Sequence, residues 1–231
     1  MNDIEVLYED NHLIAINKRS GDIVQGDKTG DMSLCDKVKL YLKDAYQKSG
    51  NVFCGVIHRI DRPVSGVVLF AKTSKALSRM NVLMQNRELL KLYWGIVKNK
   101  PDEAQATLIH YLKKNEKNNK VIISSNPKKG FLQAELAYTH LASSEKYHLL
   151  EIELKTGRHH QIRAQLAAIN SPLKGDLKYG FPRSNPDASI SLHARKLCFL
   201  HPVSNQFITI LAPVPNESLW LFFEQSLHTN E

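Results

Sequence analysis

The sequence predicts an α+β fold with a mixed, mostly antiparallel central sheet and flanking helices and loops. Two observations lead to this prediction. Short segments of apolar and β-branched residues are separated by polar turns along most of the chain, which is typical of antiparallel strands. Helical periodicity occurs in only a few stretches, and these do not alternate regularly with the strands as a βαβ fold requires. The 231 residues suffice for one large core, so we expect a single domain over residues 1–231.

The first part of the chain is expected to form strands at residues 4–8 and 13–17, on either side of a polar turn. Ser33 then begins a helix, with Asp36 three residues further on as its capping-box partner. Apolar residues follow at helical spacing, namely Leu34, Val38, Tyr41, Leu42 and Ala45. The next elements are predicted as strands at 56–60 and 67–71, a helix at 74–87 and a strand at 91–97.

The second part of the chain is dominated by extended segments, which suggests an antiparallel meander. A helix is expected at residues 160–170, because Ile162 and Leu166 lie on one helical face and Pro172 follows. Strands are predicted at 106–112, 121–124, 131–140, 147–155, 196–200 and 207–211, and a short helix at 219–227.

The charge of the chain favours a polyanionic partner. Lysine and arginine number 31 against 23 for aspartate and glutamate, which gives a net charge of +8. A simple effect on solubility is the alternative, but four arginines fall in two short segments where they suit bidentate recognition of phosphate or carboxylate. These are Arg59, Arg62, Arg158 and Arg163.

The cysteines and the amino terminus indicate a soluble protein of the cytoplasm. Cys35, Cys54 and Cys198 are never paired at metal-ligand spacing, so neither a disulfide framework nor a zinc site is expected. No basic and apolar leader begins the chain, and no apolar run has the length of a membrane span. We therefore expect no membrane association and no metal site.

Asp61 is the most informative residue of the chain. It lies between Arg59 and Arg62 in a turn that Pro63 and Gly66 favour, at the point where the chain leaves a predicted strand. Flanking cations favour the ionised carboxylate. The residues alone allow two interpretations, a nucleophile or base on a rigid loop and a structural ion pair.

Four segments together resemble pseudouridine synthases of the RluA type. The first is His58-Arg59-Ile60-Asp61-Arg62-Pro63-Val64-Ser65-Gly66 with Phe70-Ala71-Lys72 after it, close to the family pattern of His-Arg-Leu-Asp, two variable residues, Thr-Ser-Gly and an apolar strand. The others are Lys91-Leu92-Tyr93, Thr156-Gly157-Arg158-His159-His160-Gln161-Ile162-Arg163, and Leu192-His193-Ala194-Arg195 before Leu200-His201-Pro202. The resemblance implies an enzyme that isomerises uridine to pseudouridine in structured RNA and needs no cofactor. We expect it to lack the small amino-terminal RNA-binding domain that many members carry.

The resemblance also implies roles for particular residues. Asp61 would be the catalytic carboxylate, either attacking the anomeric carbon or removing the ribose 2′ proton. Arg163 would pair with Asp61 and keep it charged, and Tyr93 would stack on the uracil and take the C5 proton. Gly95, on the same strand face as Tyr93, is expected to leave room for a flat ligand. Arg59 would enter the RNA and occupy the space of the flipped nucleotide.

Further RNA contacts are expected from a second group of residues. His58, Arg158, His160 and Gln161 either reach phosphate and sugar or hydrogen-bond the two segments together, and the sequence leaves both open. Lys18, in a turn similar to an early Lys-Pro-x-Gly turn of the family, is also expected at the RNA. The list of candidates is completed by the basic segment 113–129, which has six lysines and one glutamate and is either an RNA-binding hairpin or a solvated loop.

Three departures from the family pattern bear on substrate choice or loop rigidity. Arg62-Pro63-Val64 replaces the residues that usually precede Ser-Gly, His159 stands where threonine is common, and Lys18-Arg19 lacks the usual proline. The substrate is expected to be a stem-loop of tRNA or ribosomal RNA, bound by a monomer. Two alternatives remain, an RNA-binding protein of this fold without turnover and a glycosidase-like hydrolase with Asp61 as nucleophile, which would need a second carboxylate.

Overall fold

The computed structural model describes residues 4–26 and 30–228. The chain divides into two compact units, Met1–Leu90 with Ala194–Pro213, and Lys91–His193 with Val214–Glu231. The single domain that we predicted over residues 1–231 stays a prediction. None of the helices within the described ranges has the length and apolar character that a bilayer span requires.

The elements confirm an α+β fold in which most strand pairs are antiparallel. In chain order they are β1 (Val6–Glu9), β2 (Leu13–Lys18), α1 (Leu34–Ala45), β3 (Gly55–Val56), β4 (Ser65–Ala71), α2 (Ser74–Gln85), β5 (Leu90–Val97), β6 (Gln105–Asn115), β7 (Lys120–Ser124), β8 (Leu132–Ser143), β9 (His148–Leu154), α3 (Gln161–Ala168), a short 3-10 helix (Leu177–Tyr179), β10 (Leu192–Leu200), β11 (Phe207–Leu211) and α4 (Ser218–His228).

The first unit has its strands in the order β1-β2-β4-β10, with β3 paired to β4 and β11 paired to β10. Side chains of β2 and β4 alternate between the two faces of this sheet, as the period of two in a strand requires. One face packs against α1, and the other packs against α2. The α1 side holds Ile14, Ile16, Val68 and Phe70, and the α2 side holds Leu13, Ala15, Val67 and Leu69.

The second unit has its strands in the order β5-β9-β8-β6-β7, and all of these pairs are antiparallel. Helix α3 packs through Ala164 against one residue from each of three strands, namely Leu112 of β6, Val121 of β7 and Ala134 of β8. Helix α4 covers a separate cluster. Its buried members are Trp94, Ile96, Leu149, Val214, Trp220 and Phe223.

Most predicted elements lie within a few residues of the observed ones, and the local signals explain why. The Ser33 hydroxyl accepts a hydrogen bond from the Asp36 amide, so the capping interaction predicted for α1 is confirmed. The strand predicted at 56–60 is wrong beyond Val56, because β3 pairs with the far end of β4 and the chain then leaves the sheet. The segment that contains Asp61 is therefore a loop from residue 57 to residue 64.

Candidate active site

Asp61 lies half-buried in the loop that joins β3 to β4. The loop is closed by a turn in which the Val64 amide donates to the Asp61 carbonyl at 3.0 Å. Gly66 follows with a φ of +108°, and a Cβ at this position would lie 2.3 Å from the carbonyl oxygen of Ala194. Only glycine satisfies both conditions, so the Ser-Gly pair of the sequence pattern has a steric reason.

Lys18, at the end of β2, is hydrogen-bonded to the Asp61 loop. Its ammonium group donates to the carbonyl oxygens of Arg19 and Asp22, both at 2.8 Å, and of Arg62 at 3.0 Å. Burial lowers the pKa of Lys18 to about 8, although the charges of Asp22 and Asp61 oppose that shift. Because three carbonyls surround a residue that is 1% exposed, the geometry gives Lys18 a structural role and offers no support for the predicted RNA contact.

Arg62 ties the Asp61 loop to the turn after β2. Its Nε donates to the Gly21 carbonyl at 2.9 Å, and the Gly21 amide donates back to the Arg62 carbonyl at 2.9 Å. Its Nη2 forms an exposed ion pair with Asp31 at 2.8 Å. The Ser20 hydroxyl donates to the Pro63 carbonyl at 3.2 Å. This departure from the family pattern is thus accounted for by contacts that hold the loop.

His58 and Arg59, which precede Asp61 in the same loop, differ in their surroundings. His58 is half-buried, and its Nε2 accepts a hydrogen bond from the Leu69 amide of β4 at 3.1 Å. This contact ties the loop to the strand that follows it and does not join the two segments, and the RNA contact predicted for His58 stays a prediction. Arg59 is exposed, as a residue that enters RNA must be.

Tyr93 lies in β5 of the second unit and is 7% exposed. It pairs with Ile152 of β9 in the antiparallel ladder. The space that we expected at Gly95 is not there, since a Cβ at Gly95 would meet Ile152 Cδ1 and Leu173 Cδ2, both at 2.9 Å. Gly95 is required for close packing of the strand, and the expectation that it makes room for a ligand was wrong.

Arg163 is buried on the first turn of α3. Its Nε donates to Oδ2 of Asp176 at 2.7 Å, and its Nη2 donates to Oδ1 at 2.9 Å. The guanidinium also lies over the ring of Tyr179, 5.1 Å from the centroid. The sequence analysis did not single out Asp176, and the pairing of Arg163 with Asp61 that the resemblance implies stays a prediction.

His160 is the N-cap residue of α3 and has a left-handed backbone, with φ at 48°. Its Nδ1 lies 2.9 Å from the Tyr179 hydroxyl oxygen, which also accepts from the Val121 amide at 2.9 Å. Burial and the charge of Arg163 lower the pKa of His160 to about 2, so the ring is neutral. The hydroxyl oxygen can accept two hydrogen bonds, so the tautomer of the neutral ring decides whether His160 or Tyr179 donates in this contact.

Gln161 and Arg158 both donate hydrogen bonds to backbone carbonyl groups of β8. The Gln161 side-chain oxygen accepts from the Thr156 hydroxyl at 2.8 Å and from the Arg158 amide at 2.9 Å, and its Nε2 donates to the Glu135 carbonyl at 3.0 Å. Arg158 donates through Nε to the Gln133 carbonyl at 3.0 Å. Gln161 therefore holds the turn before α3 together, whereas Arg158 is half-buried and retains an accessible part.

Asp176 and Tyr179 are the residues that sequence reasoning missed. They lie in a short turn bounded by Gly175 and Gly180, both with positive φ. The available signal was a carboxylate and a tyrosine between two glycines, close in sequence to a helix that carries a buried arginine. That signal is weak, because glycine-bounded polar turns are common on protein surfaces.

Comparison with known proteins identifies the family to which these features correspond. The family model described as RNA pseudouridylate synthase matches residues 12–168, a range that contains Lys18, Asp61, Tyr93 and Arg163. An uncharacterized RNA pseudouridine synthase of Synechocystis sp. is 32% identical over 229 residues, which cover 97% of this chain and 70% of that protein.

Two named tRNA-modifying proteins are similar over most of their length. A tRNA pseudouridine synthase C of Vibrio cholerae is 32% identical over 227 residues, with 90% of each chain covered. A tRNA pseudouridine synthase C of Haemophilus ducreyi is 32% identical over 248 residues, which cover 98% of this chain and 97% of that protein.

The fold is also that of a solved human protein. The structure titled Human RNA Pseudouridylate Synthase Domain Containing 4 superposes with a TM-score of 0.78 at 20% identity, and the match covers 96% of this chain and 92% of that one. The α+β fold predicted from the sequence therefore agrees with the structural comparison as well as with the elements described above.

Proposed function

Because the chain belongs to the RNA pseudouridylate synthase family, we propose that it converts a uridine of tRNA to pseudouridine with Asp61 as the catalytic carboxylate. Isomerisation of uridine in RNA is the activity of this family. The observation that carries the proposal is the place of Asp61, within the matched range and in a loop held by Lys18, Arg62 and the turn after β2. A rigid loop gives a reacting carboxylate a fixed position.

The reaction breaks the bond between ribose C1′ and uracil N1 and forms a bond between C1′ and C5. Asp61 either attacks C1′ directly or removes the 2′ proton, and both routes use the ionised carboxylate. The C5 proton must then leave, and N1 must gain one. The reaction is an isomerisation with no net change of oxidation state, so it requires no redox cofactor. Protein side chains can carry out the proton transfers.

Tyr93 and Arg163 are proposed as the partners of Asp61 in this chemistry. Both are buried, and both are held by ordered structure, Tyr93 by the β5–β9 ladder and Arg163 by Asp176. The proposed role of Arg163 is to keep Asp61 charged and oriented. That of Tyr93 is to stack on the uracil and to accept the C5 proton.

The RNA is proposed to meet exposed cations of both units. Arg59 is exposed two residues before Asp61, and we infer that it replaces the flipped nucleotide in the RNA stack. The hairpin of β6 and β7 carries exposed lysines that suit a phosphate backbone. Arg158, which is half-buried, and His160, which follows the exposed His159, are retained as proposed contacts.

Transfer RNA is the first substrate to test, because several similar proteins are named tRNA pseudouridine synthase C. Ribosomal RNA is the second candidate that the sequence suggested. We further propose that the protein acts as a monomer in the cytoplasm. Size-exclusion chromatography with light scattering tests the oligomeric state, since the measured mass of a dimer would be twice the 26.2 kDa of the chain.

The test is conversion of unmodified RNA by the purified protein. In vitro transcripts of tRNA and ribosomal RNA are incubated with wild type and with Asp61→Asn, and pseudouridine is mapped by carbodiimide adducts and primer extension. We expect wild type to modify one or a few uridines and Asp61→Asn to modify none. The converted position then also identifies the substrate.

Other outcomes correspond to the alternatives. Equal RNA binding by both proteins with no conversion of any transcript would favour an RNA-binding protein without turnover. Release of free uracil would favour the glycosidase-like hydrolase. Conversion by Asp61→Asn at the rate of wild type would contradict the assignment of the carboxylate.

A further inference from the structure

Asp176 is committed to Arg163 through both of its carboxylate oxygens. The two hydrogen bonds measure 2.7 and 2.9 Å and form a bidentate pair along the Nε and Nη2 edge of the guanidinium. The Asp176 side chain is 1% exposed and that of Arg163 is 7% exposed. Both charges are therefore removed from water. The two parallel hydrogen bonds also fix the position of the guanidinium within its own plane.

Tyr179 supplies a second contact from the same turn. Its ring lies under the guanidinium, and its hydroxyl bridges the Val121 amide to His160 Nδ1. The ring thus restricts movement of Arg163 out of the plane that the Asp176 pair defines. One short segment, residues 176–179, contacts both Arg163 and His160.

The turn is itself held rigidly. The Asp176 amide donates to the Leu173 carbonyl at 3.1 Å, and the amides of Tyr179 and Phe181 donate to the Asp176 carbonyl at 3.1 and 3.0 Å. Gly175 approaches so closely that a Cβ would lie 2.8 Å from the Ser189 carbonyl oxygen. A carboxylate on this turn has little freedom to follow a moving partner.

A buried ion pair of this kind contributes little net stability. The cost of removing both charges from water roughly equals their attraction, and apolar replacements of similar volume are often as stable. The pair is better explained by orientation. Asp176 binds the edge of the guanidinium that carries Nε and Nη2, and thereby fixes the direction in which the rest of the group points.

We propose that Asp176 is a positioning residue for Arg163: it fixes the orientation of the guanidinium that the proposed action of Arg163 on the reacting carboxylate requires. The inference rests on the proposed function, in which Arg163 acts on Asp61. Asp176 touches neither the substrate nor the reacting atoms in this scheme. Its removal slows the chemical step and leaves RNA affinity nearly unchanged.

The experiment compares Asp176→Asn and Asp176→Glu with wild type on a transcript that wild type converts. Asparagine keeps the shape of the side chain, but its NH2 group would face an N–H donor of the guanidinium. Glutamate keeps the charge but displaces it by one methylene. We expect the single-turnover rate to fall roughly 100-fold in Asp176→Asn, with the Kd for RNA from filter binding within about threefold. Asp176→Glu is expected to recover part of the rate.

Glu9→Gln is the matched control, because Glu9 forms a half-buried pair with Lys72 at 2.6 Å, outside the proposed site. It is expected to lower the Tm while keeping the single-turnover rate of the folded protein. A purely structural role of Asp176 would give the same result in Asp176→Asn, with a lower Tm and an unchanged rate, and would overturn the inference. If Asp176→Asn does not fold, Asp176→Glu decides by the same criterion.

Arg163→Lys separates this inference from the proposed function. If wild type converts no transcript, or if Arg163→Lys reacts at the rate of wild type, the proposed function or the role of Arg163 in it fails. If Arg163→Lys is slow while both Asp176 variants react at the rate of wild type, only the inference about Asp176 fails.

Discussion

The ammonium group of Lys18 donates a hydrogen bond to the carbonyl oxygen of Arg62, the residue directly after Asp61. Two further carbonyls, of Arg19 and Asp22, complete its coordination. A cation that the sequence suggested for RNA is thus used to join the end of β2 to the loop of the proposed catalytic carboxylate. The position of Asp61 depends on this buried charge as well as on the backbone of its own loop.

Replacement of Lys18 by methionine tests this role. Lys18→Met keeps most of the side-chain volume but leaves three carbonyl oxygens without their donor, so we expect a loss of about 2 to 4 kcal/mol in the free energy of unfolding. Urea unfolding followed by circular dichroism measures the change. Lys39→Met is the control, because Lys39 forms an exposed pair with Asp36 and its loss is expected to cost under about 1 kcal/mol.

The stability contributed by Lys18 is expected to change with pH. Its pKa is about 8 in the folded protein against an ordinary value of 10.5, so between these values the unfolded chain binds more protons than the folded one. Stability relative to Lys18→Met therefore rises with pH through this window, by roughly 3 kcal/mol at most. Urea unfolding of both proteins at pH 7.5 and pH 10 measures the difference, and a difference that stays constant would contradict the shifted pKa.

Gly66 is predicted to be irreplaceable in the loop. Gly66→Ala would place a Cβ 2.3 Å from the Ala194 carbonyl oxygen at a φ of +108°, and we expect a loss of at least about 3 kcal/mol or failure to fold. Gly157→Ala is the matched control, because a Cβ at Gly157 would meet nothing within 4 Å. Thermal unfolding of both variants decides, and an equal Tm would disprove the steric argument.

The fold could be predicted from the sequence largely because its signals are local. The cap at Ser33 and the apolar spacing of α1 depend on neighbouring residues, and the structure follows them. The strand expected at 56–60 is shorter because pairing with β4 ends at Val56. Strand length is decided by the partner strand, which a single sequence does not reveal.

The family pattern supplied the candidate site residues, and the structure adds the contacts that hold them. The family pattern identified Asp61, Tyr93 and Arg163, whose proposed actions await experiment. The burial of Lys18 and the pairing of Arg163 with Asp176 depend on contacts across 4 to 44 residues of sequence. Charge alone did not distinguish a cation that faces solvent from one surrounded by carbonyl groups.

The two arginines beside Asp61 are expected to differ in function. Arg62 is bonded to Gly21 and paired with Asp31, so Arg62→Ala should lower the free energy of unfolding by about 1 kcal/mol with little effect on the Kd for RNA. Arg59 is exposed, and Arg59→Ala should weaken RNA binding or conversion without lowering the Tm. Thermal unfolding and filter binding on both variants separate the two roles, and identical behaviour would contradict them.

The basic segment 113–129, which includes the turn between β6 and β7 and the turn after β7, offers a quantitative test of RNA binding. Its lysines are exposed, and each phosphate contact that one of them makes adds about 0.7 to 0.9 to the slope of log Kd against log salt concentration. Replacement of Lys117 and Lys129 by glutamine should therefore lower that slope by up to about 2 and weaken binding at low salt. Filter binding to an unmodified tRNA transcript at several salt concentrations measures the slope.

A matched variant distinguishes contact with RNA from the effect of net charge. Lys43 and Lys75 are exposed lysines of α1 and α2 in the first unit, and their replacement by glutamine removes the same two charges. If the basic segment 113–129 contacts phosphates, the slope falls for the pair Lys117 and Lys129 and stays near that of wild type for the control pair. Equal slopes in both double variants would mean that the segment is a solvated loop and that the long-range field of the basic protein accounts for its affinity.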